Sequence, residues 1–280
     1  MPGLGDKVAV VTGATQTMGA AIARRLAAEG AHVVGFGRSA ERGHAVAVRV
    51  TAEGGSAMFV EGDITNEADV QTLVDRAVAK FGRLDIVVNN AAAVELIRTG
   101  VETGVVDEPA AAFEWQFKVG LYGPLRLAQL AIPHMVRRGG GAFVTISSQG
   151  GHRAFPAMTS YGPVKAAAEA LSRQIAVDYG DRNIRSNCIV LGSIRVEQNE
   201  HVHDDPVLGG QLRAMQMLPA AGSPEHIASA VAFLAGDDAE FITGVALPVD
   251  GGLMAKAPMT KTGFSDWMTQ LSAGPQPAAS

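Results

Sequence analysis

Residues 7–28, KVAVVTGATQTMGAAIARRLAA, decide the fold. The Val-rich run 7–12 ends in Gly13, the short TGATQTMG follows, and from Met18 to Ala28 apolar residues recur at helical spacing. This is strand, glycine-bearing turn and helix. A second strand over His32–Phe36 and a helix over Ser39–Ala52, with Ser39 as its expected N-cap, repeat the unit. Two βα units in succession imply a parallel sheet with helical crossovers.

Outward from there the alternation continues. Strands are expected at Ala57–Val60, Leu84–Val88, Ala142–Ile146, Ile184–Leu191 and Val245–Val249, and helices at Asn66–Phe81, Tyr161–Tyr179, with Gly180 as its stop, and Pro224–Ala235. Residues 92–110 read as loop or irregular chain. A long helical pattern from Pro109 to Arg138 contains Gly120, Gly123, Pro124 and Pro133, which predict bends or breaks. Residues 192–222, polar but for Leu212–Leu218, suit a mobile lid. The last segment, Leu253–Ser280, is a Pro-, Ala- and Ser-rich tail with one apolar cluster at Phe264, Trp267, Met268 and Leu271.

The 280 residues are 47% hydrophobic and 18% charged, enough for one large α/β domain, expected over residues 1–253. A net charge of −5 without any long basic run gives no footprint for nucleic acid or an anionic membrane. Cys188 is the only cysteine, so no internal disulfide is expected, and no Cys/His cluster has metal-ligand spacing. The opening MPGLGDKVAVVTG has no apolar signal-peptide core, and no apolar run reaches ~18 residues; a cytoplasmic, metal-free protein is expected.

The chemistry concentrates in residues 147–165, SSQGGHRAFPAMTSYGPVK. Tyr161 and Lys165 are four apart, so on a helix they share a face. A phenol has an ordinary pKa of about 10 and transfers protons poorly at neutral pH unless a cation favours its ionised form; Lys165 can be that cation. Ser148 can hydrogen-bond a substrate oxygen. Alone, such spacing favours a packed tyrosine and a solvated lysine over a catalytic pair.

The turn after the first strand directs backbone N–H groups and a helix N-terminus at a phosphate, the way dinucleotide folds hold a pyrophosphate. Here it resembles the TGxxxGxG turn of the short-chain dehydrogenase/reductase family, with Gly13 and Gly19 present and Thr17 in place of the middle glycine. The resemblance runs from residue 6 to about 253, through Asp63, Asn89-Asn90-Ala91, Ser148, Tyr161, Lys165 and the closing ITGVALPVDGG. It is similar to the branch with 3-oxoacyl-[acyl-carrier-protein] reductases and bacterial hydroxysteroid or sugar-alcohol dehydrogenases. It implies a Rossmann-type, doubly wound, seven-stranded, mostly parallel sheet with helices on both faces. It further implies hydride transfer between a nicotinamide and a ketone or secondary alcohol.

Residue by residue, the resemblance makes Tyr161 the proton donor or acceptor, Lys165 the group that lowers its pKa and binds the nicotinamide ribose, and Ser148 the substrate-oxygen ligand. Gly13, Thr15, Gln16 and Met18 belong to the phosphate turn. Asp63 caps the adenine, Ile64 covers it, Asn90 and Ala91 pass beside the ribose, and Gly192 and Ile194 flank the carboxamide. The alternatives are a helix cap for Asp63, for which the cofactor role is favoured, a turn for Asn89-Asn90, and core for Ile194.

Arg38 follows Gly37 where NAD-dependent relatives carry an acidic residue, which favours NADP(H) over NAD(H), a solvated surface charge being the alternative. The family's further catalytic Asn falls at Gly120 in VGLYG, NNAG is NNAA, and Val196 replaces a cofactor-binding Thr. A cofactor-binding scaffold with little or no turnover is therefore the competing reading. For HVHDD at 201–205 a solvated loop is favoured over a metal or acid/base site. Relatives of this kind form homotetramers, or homodimers, through the two long helices.

Overall fold

In the computed structural model, residues 3–257, Ser265 and Met268 are described. The tail cluster read from Phe264, Trp267 and Leu271 lies outside them. Seven parallel strands form one sheet in the order β3-β2-β1-β4-β5-β6-β7. They are β1 (Val8–Thr12), β2 (His32–Gly37), β3 (Ser56–Glu61), β4 (Ile86–Asn89), β5 (Gly141–Ser148), β6 (Ile184–Leu191) and β7 (Ala246–Val249). The helices are α1 (Thr17–Ala28), α2 (Ala40–Ala52), α3 (Glu67–Phe81), α4 (Glu95–Arg98), α5 (Ala110–Phe117), α6 (Gly123–Arg138), α7 (Tyr161–Tyr179), α8 (Glu200–Asp204), α9 (Leu208–Met215) and α10 (Pro224–Ala235).

Side chains alternate across each strand, so β1 feeds two cores. Ala9 and Val11 join Ile22 and Leu26 of α1 and Ile227 and Val231 of α10 on one face. Val8 and Val10 join Leu73 of α3 and Leu127 and Met135 of α6 on the other. Burial on both faces explains why these strands read as continuous apolar runs. The register pairs Val11 with Gly35 and Ser148 with Leu191, which aligns the strand ends along one edge.

Four local expectations change. The segment at 92–110 contains the single turn α4. The predicted breaks near Gly120 are one π-helical stretch, Lys118–Tyr122, that joins α5 to α6 without interruption. Gly180, expected to stop α7, keeps right-handed angles and starts a short 3₁₀ turn; the left-handed residue is Asn183, φ 57°. The lid holds two helices, α8 and α9, and HVHDD is a helix rather than a solvated loop, with His203 buried and its Nε2 3.5 Å from Ser193 Oγ. Its neck is closed by a bridge between Ile194 and Gly222. Among the described residues no helix is long and apolar enough to cross a membrane.

Candidate active site

The order of the strands reverses between β1 and β4, and ligands of open parallel sheets bind in the crevice beyond such a point. Gly13 stands there with φ +66°, and a Cβ on it lies 2.9 Å from Asn90 Nδ2; a Cβ on Gly19 lies 2.0 Å from the Gly13 carbonyl oxygen. Neither position accommodates a side chain. Asn90 braces this turn: its Nδ2 donates to Thr12 O at 2.9 Å and Gly13 O at 3.2 Å, and Thr12 Oγ1 accepts the N–H groups of Asn90 and Ala91 at 3.0 and 3.1 Å. Asn90 Oδ1 remains buried with no partner among the described residues. A tight glycine cradle, a helix N-terminus and an unmatched acceptor fit a dinucleotide. Thr17, in the place of the middle glycine, has φ +42°.

The remaining turn residues divide by exposure. Thr15 and Met18 are half-buried, and Met18 packs on the core, whereas Gln16 faces out and its Oε1 accepts from Arg42 Nη1 at 2.9 Å. Arg42 also donates to Ser39 Oγ at 3.2 Å, so Ser39 sits at the N-cap position but makes no capping bond. Arg38 is exposed, with Nη2 3.6 Å from Glu95 Oε1 of α4. Asp63 Oδ1 accepts from Thr65 N and Thr65 Oγ1, each at 2.8 Å, while Asn66 caps α3 by accepting from Ala68 N at 2.9 Å. Asp63 is thus no helix cap. Ile64 is buried beside it, and Gly192 and Ile194 follow β6 at the lid's neck.

Ser148 ends β5, Tyr161 opens α7 and Lys165 lies one turn further. Lys165 Nζ donates to Ile146 O at 2.9 Å and stands 5.6 Å from the centroid of the Tyr161 ring. Burial pushes the Lys165 ammonium down to about 8, against the opposing pull of Cys188 and Glu169. Burial pushes the Tyr161 phenol above its ordinary value; a hydrogen bond with Ser148 lowers it and the Glu102 carboxylate raises it further. In the protein alone, therefore, the phenol stays protonated. This differs from the expected lowering by Lys165. Gly120 faces the same helix: a Cβ there lies 2.8 Å from Val164 Cγ2.

Several residues here escaped the sequence reading. Glu102 reaches Ser160 and Tyr161 from the loop after β4. Glu169, buried one turn beyond Lys165, accepts from Ser147 Oγ and pairs with His152 Nε2 at 2.9 Å. Its i+4 spacing from Lys165 was a usable signal; Glu102 had none. Among the described residues no group of three or more His, Cys, Asp or Glu is placed to hold a metal ion.

Residues 13–254 match the family model described as enoyl-(acyl carrier protein) reductase. The chain is 35% identical over 254 residues to 3beta-hydroxysteroid dehydrogenase 1 of Eggerthella lenta, covering 89% of this chain and 94% of that protein. It is 34% identical over 251 residues to 7alpha-hydroxysteroid dehydrogenase of Escherichia coli, with the same coverages. A short-chain type dehydrogenase/reductase from Mycobacterium ulcerans superimposes with a TM-score of 0.85 at 30% identity, over 90% of this chain and 91% of that one. With the glycine cradle and the parallel sheet already in place, these matches show that the chain belongs to the short-chain dehydrogenase/reductase family, oxidoreductases that use a nicotinamide cofactor.

Proposed function

We propose that the protein is an NADP(H)-dependent oxidoreductase that interconverts a ketone and a secondary alcohol, with Tyr161 as proton donor and acceptor. The observation that carries this reading is the convergence of Ser148, Tyr161 and Lys165 from β5 and α7, with the Lys165 Nζ beneath the tyrosine ring. When bound, the reduced nicotinamide supplies the hydride. Ser148 hydrogen-bonds the carbonyl oxygen, and the Tyr161 phenol gives that oxygen its proton. Lys165, held by Ile146 O, offsets the charge left on the phenolate. In the opposite direction the phenolate takes the alcohol proton.

Support for NADP(H) is electrostatic. Arg38 directly follows β2 and Arg42 lies in the first turn of α2, and guanidinium groups there match a 2′-phosphate better than a ribose hydroxyl. Exposed Met215, Met217 and Leu218 on the lid suit a moderately apolar substrate, and relatives named for hydroxysteroids make cyclic ketones sensible first probes. Exposed Phe113, Tyr122 and Leu125 along α5 and α6, with Val177 on α7, support a homotetramer built on these helices. The protein is expected to work in the cytoplasm.

Tyr161→Phe tests the chemistry: turnover of a competent ketone is lost while NADPH binding, read by a thermal shift, is kept. Turnover by Tyr161→Phe would sink the assignment. Gly120, which offers no side chain to a proton relay, favours the second reading of a binding scaffold. Robust turnover by the parent protein excludes it.

A further inference from the structure

Helix α7 does not cap itself. Ser160 holds its N-cap position at φ −99° and ψ −33°, and its side chain makes no bond to the first amides. Those amides have no partner inside a helix. The partner comes from far along the chain. Glu102 Oε1 accepts from Ser160 N at 2.8 Å, from Ser160 Oγ at 3.0 Å and from Tyr161 N. Glu102 is 4% exposed, and its loop is fixed by Val101 N and Glu102 N on Leu96 O, at 3.0 and 3.2 Å, and by Thr159 Oγ1 donating to Thr103 O at 2.7 Å.

The two carboxylate oxygens are used unequally. Oε1 takes three donors, whereas Oε2 is buried with no hydrogen-bond partner among the described residues. A cap is ordinarily supplied by the residue at the helix start itself, Ser, Thr, Asn or Asp. A buried charge with half its acceptor capacity idle is a costly way to provide one. Its position explains the choice. The charge touches the backbone of Tyr161 itself.

We infer that Glu102 is a positioning residue of the hydride-transfer site: it fixes the backbone of Tyr161 and places a buried carboxylate against that residue, where its charge opposes formation of the phenolate. This rests on Tyr161 being the proton donor. The groups around Tyr161, Glu102 at its backbone and the others about its ring, differ in sign and origin. Lys165 comes from α7 itself, 5.6 Å from the ring centroid, and Glu102 comes from the loop after β4. Ser148 brings a neutral hydroxyl from β5, and His152, just beyond it, is turned to Glu169. Of the charged groups, Glu102 is the one whose field raises the phenol.

The test needs no substrate. Glu102→Gln keeps a carbonyl oxygen for the three donors and removes the charge. The Tyr161 phenolate is titrated by ultraviolet difference absorbance, with Tyr161→Phe subtracted to remove the other two tyrosines. The expected result is a titration displaced to lower pH in Glu102→Gln, with the melting temperature close to the parent's. A titration superimposed on the parent's overturns the inference and leaves Glu102 a cap. If Glu102→Gln does not fold, Glu102→Asp, which draws the charge back by one methylene, is expected to move the titration the same way; no movement again overturns it. The Tyr161 assignment fails on a different observation, turnover by Tyr161→Phe.

Discussion

Arg38 Nη2 lies 3.6 Å from Glu95 Oε1, across the space between the end of β2 and the short helix that follows β4. The cation on which the proposed NADP(H) preference rests is therefore shared with a carboxylate. Arg38→Ala is expected to weaken NADPH binding roughly tenfold or more, the scale of a charge-assisted bond to phosphate, and to leave NADH nearly unchanged. Glu95→Gln frees the guanidinium and is expected to tighten NADPH by roughly a few-fold, as suits an exposed pair. Titrating both cofactors against intrinsic fluorescence checks this; equal losses for NADPH and NADH in Arg38→Ala would contradict it.

Lys165 gives a pH dependence with a definite sign. Its folded value of about 8 lies below the ordinary 10.5, so between these values the unfolded chain holds a proton that the folded chain has released. Stability rises with pH across that window, and below about 8 the penalty of burying the charge is present in full. Lys165→Met is expected to be at least as stable as the parent at neutral pH and to lose roughly 100-fold or more in turnover, the scale of a lost proton-transfer aid. Urea midpoints at neutral pH and inside the window, for both proteins, decide the stability part.

Thr17 and Gly13 make an opposed pair. A β-branched residue at φ +42° is strained by roughly 1–3 kcal/mol, part of which Thr17→Gly releases against the greater freedom of an unfolded glycine. The net expectation is a gain of up to about 1 kcal/mol, or about 2–4 °C in melting temperature. Gly13→Ala, with φ +66° and its Cβ 2.9 Å from Asn90 Nδ2, is expected to lose both stability and dinucleotide binding. Differential scanning calorimetry of the two variants reads both signs.

Gly120→Asn does not simply restore a missing side chain. Its Cβ lies 2.8 Å from Cγ2 of buried Val164, whose branched side chain is stiff within α7. The single variant is expected to lose about 1–3 kcal/mol, as overpacked sites do, and Val164→Ala in the same chain to recover most of it. Turnover is expected to rise in the double variant only. Faster turnover by the single variant would show that α7 yields at this point.

The sheet was legible because strands buried on both faces carry long apolar runs, and glycine or Asn-Asn marks most of their ends. Helix α7 was legible from Tyr161 and Lys165, whose spacing is a property of one segment. Glu102 was not, because it acts on a helix 58 residues away and sits in a loop without periodicity. Arg42 was missed for a similar reason: its bond to Gln16 joins two βα units that look independent in sequence. The π-helical stretch at 118–122 leaves no composition signature, and α8 and α9 are too short for periodicity to separate them from loop. The His-rich run looked solvated because nothing local announces that His203 turns inward.

The bridge between Ile194 and Gly222, with Arg195 N donating to Gly222 O at 2.8 Å and Gly222 N to Ser193 O at 3.2 Å, brings the two ends of the lid together at the sheet. The chain between them is pinned a second time just beyond β7, where Met217 N and Leu218 N donate to Gly251 O at 2.8 and 3.0 Å and Lys256 Nζ donates to Ala214 O. An exchange of residues 195–221 for those of a relative is therefore expected to need residues 251–256 from the same relative, and to leave the Gly13 turn and Tyr161 where they are.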